Sequence, residues 1–298
     1  MKIQLAAITD VGKERSNNED AYIICPDLLQ QNWSLNYTPS YINLNKHGAI
    51  LVVADGMGGA NAGEVASSLV IKSIKETLSK DIIEPYLDSG DIDNLLELCI
   101  KNADEAINNH ICKNPETIGM GTTIVLCWII GDKAHVVWCG DSRCYVFNPD
   151  SGIRQLTKDH SLVQELIDKG EISEEEAFSH PDSNIITNGI GDFDSQPIPD
   201  IITYSLHPND TFLLCSDGLC GYCTNKEIEA VLKKYYSDIA NCRDELLKLA
   251  LNAGGFDNIC IALASLIDDK QTAPAPLSRR HNVFIKFKQL FMSLKGTV

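Results

Sequence analysis

The sequence predicts an α+β fold, with sheets covered by helices. Two observations carry this expectation. Apolar runs of strand length dominate the middle and the end of the chain. Helical periodicities fall in well-separated blocks instead of alternating one for one with the strands. A third observation sets the scale: 298 residues, 44% hydrophobic and 22% charged, are enough for one large domain with a sizeable core. No internal repeat and no long low-complexity run interrupts it.

Taken in order, Leu5–Ile8 and Ala21–Ile24 read as strands around a polar loop. Residues 28–48 are polar, rich in Asn and dotted with Trp33, Tyr37 and Tyr41, and read as a long loop or small insertion. Ile50–Ala54 is an apolar run ending in Asp-Gly, the profile of a buried strand. Residues 62–79 change to helical spacing, with Val65, Leu69 and Val70 on one face. A second helix is expected near 92–112, striped by Leu96, Ile100, Ala103 and Ile107. Thr122–Ile130 and Ala134–Phe147 read as a pair of strands across Gly131-Asp132. Ser173-x-x-Glu176 and Thr224-x-x-Glu227 are capping boxes that open helices. Phe212–Cys215 and Ile259–Leu266 read as strands. Residues 268–278, with two prolines between small and polar residues, read as a linker. The expected plan is one domain over 1–267, the linker 268–278, and a tail over 279–298.

Acids outnumber bases by 41 to 25, for a formal net charge of −16. Such a surface repels nucleic acid, which is not an expected partner. The charge is uneven: residues 271–298 hold Arg279, Arg280, Lys286, Lys288 and Lys295 and no acid. Val283, Phe284, Phe287, Leu290, Phe291 and Leu294 in that stretch fall at helical spacing, opposite Lys286, Gln289 and Ser293. This is a basic amphipathic helix, with either peripheral membrane or partner binding as its role, or packing on the acidic domain. The first residues lack the apolar core of a signal peptide, and the longest apolar run, Ile124–Ile130, is too short to span a bilayer. Eleven cysteines, an odd number, read as reduced thiols of a cytoplasmic protein. Cys220-x-x-Cys223 would need two further ligands to bind zinc, and reads as small buried thiols.

Several acids stand at strand ends and tight turns: Glu19 and Asp20, Asp55, Asp141, Asp217 and Asp257. Asp55 closes one apolar strand and Asp217 another, each followed by glycine. Asp257 follows Gly254-Gly255 and opens the last strand, and Asp141 lies between Gly140 and Ser142 in mid-hairpin. Any one Asp-Gly pair can be a turn signal alone. Several at sheet ends would repel one another unless a cation neutralises them, and all-oxygen sets suit Mg²⁺ or Mn²⁺. Arg15 precedes Glu19 and Asp20 by four and five residues. Its guanidinium can grip a phosphate through two parallel hydrogen bonds, or serve only as a surface ion pair.

In chain order the motifs are Arg15-x-x-Asn18-Glu19-Asp20, Asp55-Gly56-Met57-Gly58-Gly59, Gly121-Thr122-Thr123, Gly140-Asp141-Ser142-Arg143, Leu156-Thr157-Lys158-Asp159-His160-Ser161, Ser216-Asp217-Gly218-Leu219 and Gly255-Phe256-Asp257-Asn258. In this series the chain resembles the metal-dependent protein phosphatases of type 2C, in their bacterial form, over about residues 3–267. Each motif is short, but seven in register are specific. Gly170 to Pro181 resembles the family's flap.

The resemblance implies a four-layer α-β-β-α sandwich of two antiparallel sheets flanked by helices, with metals in a cleft at one end. It implies that Asp55 bridges two Mn²⁺ or Mg²⁺ ions. Gly56 would offer its carbonyl to one ion, with Glu19 bound directly or through water. Asp217 and Asp257 would complete the other site, and Asp20 would support the shell. Asp141 with Asp217 would hold a third, weaker metal, and Arg15 would bind the substrate phosphate. The implied activity is hydrolysis of phosphoserine and phosphothreonine in proteins by a metal-bridging water or hydroxide, in line and without a phosphoenzyme, opposing a bacterial serine/threonine kinase. A monomer is expected. The alternatives are a catalytically silent phosphoprotein-binding pseudophosphatase and a regulatory phosphatase devoted to one pathway. Met57 stands where many eukaryotic members have a histidine proposed as general acid, so the leaving alkoxide must take its proton from metal-bound water or another group. Asn188 stands where arginine or lysine is usual. His160 is expected to be structural.

Overall fold

The computed structural model describes residues 1–58, 62–193 and 195–267. Gly59, the linker expected at 268–278 and the basic helix expected at 279–298 lie outside the described residues.

The chain opens with four strands, β1 (Lys2–Asp10), β2 (Asp20–Cys25), β3 (Ser40–Asn43) and β4 (Ala49–Met57). Three helices follow, α1 (Ala62–Thr77), α2 (Lys80–Ser89) and α3 (Ile92–Lys113). Next come β5 (Gly121–Thr122), β6 (Ile124–Ile130), β7 (Lys133–Cys139), β8 (Arg143–Asn148) and β9 (Gly152–Gln155). Short helices α4 (Leu162–Asp168) and α5 (Glu174–Phe178) lead to β10 (Ile190–Gly191), β11 (Asp200–Ser205) and β12 (Thr211–Cys215). The described chain ends with α6 (Asp217–Cys220), α7 (Asn225–Tyr235), α8 (Ile239–Asn252) and β13 (Ile259–Ile267).

Two antiparallel sheets result. One runs β3-β1-β13-β12-β8-β9, and the other β10-β5-β4-β6-β7-β11 with β2 also on β4. The period of two sorts each strand between two cores. In β4, Leu51 and Val53 face the layer between the sheets, and Ile50, Val52 and Ala54 face α1 and α3. In β13, Cys260, Ala262 and Ala264 face inward, while Ile259, Ile261 and Leu263 pack under α7 and α8. Three apolar layers therefore separate helices, sheet, sheet and helices, the expected α-β-β-α sandwich. The helices supply matching stripes: Ala66, Val70 and Ile74 on α1, and Leu96, Ile100, Ala103 and Ile107 on α3, are all buried. Both capping boxes form, at Ser173 on α5 and Thr224 on α7.

Three expectations are corrected. Ala134–Phe147 is not one strand: β7 pairs with β6, but the chain crosses at 140–142 and β8 joins β12 in the other sheet. Asp141 is therefore at a crossing between sheets, not in mid-hairpin. Residues 28–48 are not all loop, because β3 adds to the exposed edge of β1. An additional helix, α2, lies between the two expected ones and contains Pro85.

Candidate active site

The acids singled out by the sequence collect where strand ends of both sheets approach one another. Asp20 and Asp55 are direct cross-strand partners at the ends of β2 and β4. Asp217 opens α6 immediately after β12, and Asp257 lies two residues before β13, which pairs with β12. Gly218 locks those two segments together, since a Cβ there would overlap the Asn258 carbonyl oxygen. Gly56 is equally confined, between the Gly63 and Glu19 carbonyls.

Small polar side chains hold the acids in place. Ser216 Oγ donates to Asp20 Oδ2 at 2.6 Å and accepts from the Cys260 N–H at 2.9 Å, tying β12, β13 and β2 together. Asn258 Oδ1 accepts from the Glu19 N–H at 2.7 Å, while its Nδ2 donates to the Val11 and Asn17 carbonyls at 2.9 and 2.8 Å. The loop that carries Arg15 and Glu19 is thereby pinned beside Asp257. The Asp55 carbonyl accepts from the Thr123 N–H and from Thr122 Oγ1, both at 2.8 Å. Thr123 Oγ1 in turn lies 2.7 Å from Ser142 Oγ, linking the Asp55 strand to the Asp141 crossing.

The electrostatics are those of uncompensated negative charge. Burial, then Ser216's opposing hydrogen bond and repulsion from Asp217 and Asp257, leaves Asp20 pushed up to about 8. Burial and then Asp257 push Asp217 up to about 6. Asp55 is held well above the carboxylate range by burial and by Asp20, Asp217 and Asp141 around it. Asp141 is raised in the same way, by burial and then Asp217. Asp141 Oδ1 is buried and has no hydrogen-bond partner among the described residues. Glu19 is raised chiefly by burial. At the rim, Arg15 Nη2 donates to Asp257 Oδ2 at 2.7 Å, with the arginine side chain 54% exposed.

Among the described residues no three His, Cys, Asp or Glu side chains are already gathered tightly enough to hold an ion. Asp257 turns to Arg15 and Asp20 to Ser216. As a donor set the cluster is nonetheless all oxygen, short of positive charge, and includes an acceptor atom with nothing to accept from. That chemistry fits hard divalent cations.

Residues 7–173 match the family described as Protein phosphatase 2C. A putative protein phosphatase 2C-type of Streptococcus pyogenes is 36% identical over 268 residues, 88% of this chain and 96% of that protein. The chain belongs to the protein phosphatase 2C family. The serine/threonine protein phosphatase PstP of Mycobacterium tuberculosis is 33% identical over 89% of this chain, which spans only 45% of that relative's length. The crystal structure of serine/threonine phosphatase Stp1 from Staphylococcus aureus superposes with a TM-score of 0.75 at 34% identity, covering 89% of this chain and 95% of that one. A PstP catalytic domain in complex with two manganese ions aligns at 30% identity and a TM-score of 0.70, covering 90% of this chain and 100% of that one.

Other expectations for this phosphatase 2C chain find their place around the acids. His160 is structural: its Nδ1 accepts from the Gly140 N–H at 3.1 Å and braces the turn that bears Asp141. Asn188 Nδ2 lies 3.0 Å from the same Nδ1 and donates to the Ile198 carbonyl at 2.7 Å, touching none of the acids. Arg143 grips Asp159 through Nε at 2.9 Å and Nη2 at 2.6 Å. All eleven cysteines are free, and Cys220 and Cys223 are buried. The sequence reading missed the positioning roles of Ser216, Thr123, Ser142 and Asn258. Each lies within a motif, but a small polar residue in a turn gives no sign of its partner.

Proposed function

We propose that the chain is a phosphoserine/phosphothreonine protein phosphatase that works with two Mn²⁺ or Mg²⁺ ions at the carboxylate cluster. The carrying observation is the charge deficit: burial and mutual repulsion raise Asp20, Asp55, Asp141 and Asp217 above the carboxylate range, and Asp141 Oδ1 is buried with no hydrogen-bond partner among the described residues. In this reading Asp55 would hold both ions. The Gly56 carbonyl and Glu19 would complete one site, Asp217 and Asp257 the other. Asp141 with Asp217 would take a third, weaker ion, and Asp20, fixed by Ser216, would support Asp55. Bound cations supply compensating charge and an activated water for in-line displacement at phosphorus.

The chain's own residues do the remaining work. With Asp257 neutralised, its pair with Arg15 weakens and the guanidinium fork turns to two phosphate oxygens. Met57 has no proton to give, so the leaving alkoxide would take its proton from metal-bound water or another group. Cys220 and Cys260 are poorly suited as nucleophiles, because burial helps to hold both thiols well above their ordinary pKa. The catalytic domain is placed at 1–267, in support of which the described residues form one compact unit ending at Ile267. A relative named as a serine/threonine protein phosphatase supports phosphoproteins as substrates; a serine/threonine kinase as the opposing activity and a cytoplasmic site are part of the same proposal. Among the described residues no helix is long and apolar enough to cross a membrane.

Hydrolysis of p-nitrophenyl phosphate and of a phosphothreonine peptide by the full chain, with Mn²⁺, with Mg²⁺ and with EDTA, tests the proposal. Turnover is expected with either metal, and is abolished by EDTA and by Asp55→Asn or Asp217→Ala. A folded, metal-loaded chain that binds phosphopeptide without turnover would overturn it in favour of a pseudophosphatase.

A further inference from the structure

Two aromatic rings stand exposed beside acids that the phosphatase reading assigns to the metal ions. Tyr222 is 38% and Phe256 51% exposed, and their ring centroids lie 5.5 Å apart at 47°. Single exposed rings need no explanation, but two in contact, each joined to a different site segment, are a surface of another kind. Phe256 directly precedes Asp257, whose Oδ2 holds Arg15 at 2.7 Å. Its ring lies back over Gly254, where φ is +134° and a Cβ would overlap the ring, so glycine is what permits this pose. Tyr222 sits on the turn that closes α6, where the Gly221 N–H donates to the Asp217 carbonyl at 2.6 Å. Burial, then Asp217 and Asp257, raise the Tyr222 phenol, so its hydroxyl lies within the field of the cluster.

We propose that Tyr222 and Phe256 form an aromatic platform beside Arg15 that receives an apolar or aromatic side chain adjacent to the phosphorylated residue of a protein substrate. The inference rests on the phosphatase reading. A phosphate held by Arg15 places the neighbouring residue about 3.5 Å further along an extended chain. Because Arg15 is held on Asp257, the residue next to Phe256, a side chain one such step away is within reach of the rings. An apolar side chain laid on ring faces loses water from both surfaces, whereas alanine covers little of either. Among the described large apolar side chains these two are exposed in contact with each other, next to Asp257 and on the turn after Asp217.

The test compares phosphothreonine peptides that carry phenylalanine at the −1 or the +1 position with one that carries alanine at both. kcat, KM and, on the Asp55→Asn chain, Kd are measured for each. The better phenylalanine peptide is expected to have a kcat/KM about tenfold higher and a Kd about tenfold lower than the alanine peptide, about 1.4 kcal/mol, with the kinetic difference in KM. In the chain with Tyr222→Ala and Phe256→Ala the ratio should fall to about one, and Tyr222→Phe with Phe256→Leu should keep most of it. Equal turnover of all peptides by the unmodified chain, or a ratio that survives the double substitution, overturns the platform. Absence of turnover for every peptide is a failure of the phosphatase reading instead, and the Kd ratio then still decides the platform.

Discussion

Ser216 donates its single proton to Asp20 and accepts from the Cys260 N–H, so one hydroxyl sets the position of an acid and satisfies a buried backbone group. Removing it leaves both partners unpaired in a site that water hardly reaches. Ser216→Ala should therefore cost about 1–3 kcal/mol of stability, as expected for a buried group left without its hydrogen bond. It should also weaken metal binding by about 10–100-fold, the usual effect of removing a group that orients a ligand. The measurements are thermal unfolding in EDTA and the Mn²⁺ concentration at half-maximal turnover. An unchanged Mn²⁺ requirement would show that Asp20 needs no such support. The same logic explains why the acids were legible in the sequence and their supports were not. A carboxylate at the end of an apolar run, before glycine, contradicts burial and so announces a purpose. Ser216, Thr123 and Asn258 contradict nothing, and only the folded chain shows what they hold.

At the scale of elements, the apolar runs identified the central strands, because β4, β6, β12 and β13 are buried on both faces. Elements that lack that burial escaped notice. β3 is an exposed edge strand, and α2 buries only Ile83 and carries a proline. The crossing at 140–142 was hidden for another reason: the period of two states which residues share a face, not which sheet they join. That crossing is also what places Asp141 beside Asp55 and Asp217. Glycine matters where two such segments touch. A Cβ at Gly218 would overlap the Asn258 carbonyl oxygen, so Gly218→Ala must push α6 away from the segment before β13. The expected cost is about 1–3 kcal/mol, typical of overpacking, with turnover falling further than stability because Asp217 and Asp257 move apart. Stability and kcat measured on the same variant check this. Full activity with lowered stability would separate the two acids functionally.

Across the whole molecule, the acid cluster ties folding to pH and metal. The unfolded chain loses the protons of Asp20 and Asp217 near pH 4, at the ordinary value of 3.8, whereas the folded chain keeps them to about 8 and about 6. Acids whose folded pKa is raised contribute stability at low pH that is lost as pH climbs through the folded values. The metal-free chain should therefore lose stability between about pH 4 and about pH 8 on account of this cluster. His47 and His135 act in the opposite sense, because burial lowers both, so their contribution is present above 6.5 and is lost as pH falls below it through their lower folded values. The difference between metal-loaded and metal-free protein removes the histidines from the comparison, since neither is part of the cluster. Cations displace the protons held by the acids, so metal binding strengthens as pH rises and gives back what deprotonation took away. The rise in unfolding temperature produced by saturating Mn²⁺, relative to EDTA, should accordingly be larger at pH 8 than at pH 5.5. Calorimetry should also register protons released on Mn²⁺ binding at pH 5.5. An Mn²⁺ effect that is equal at both pH values, with no proton release, would mean that the ion binds away from Asp20 and Asp217.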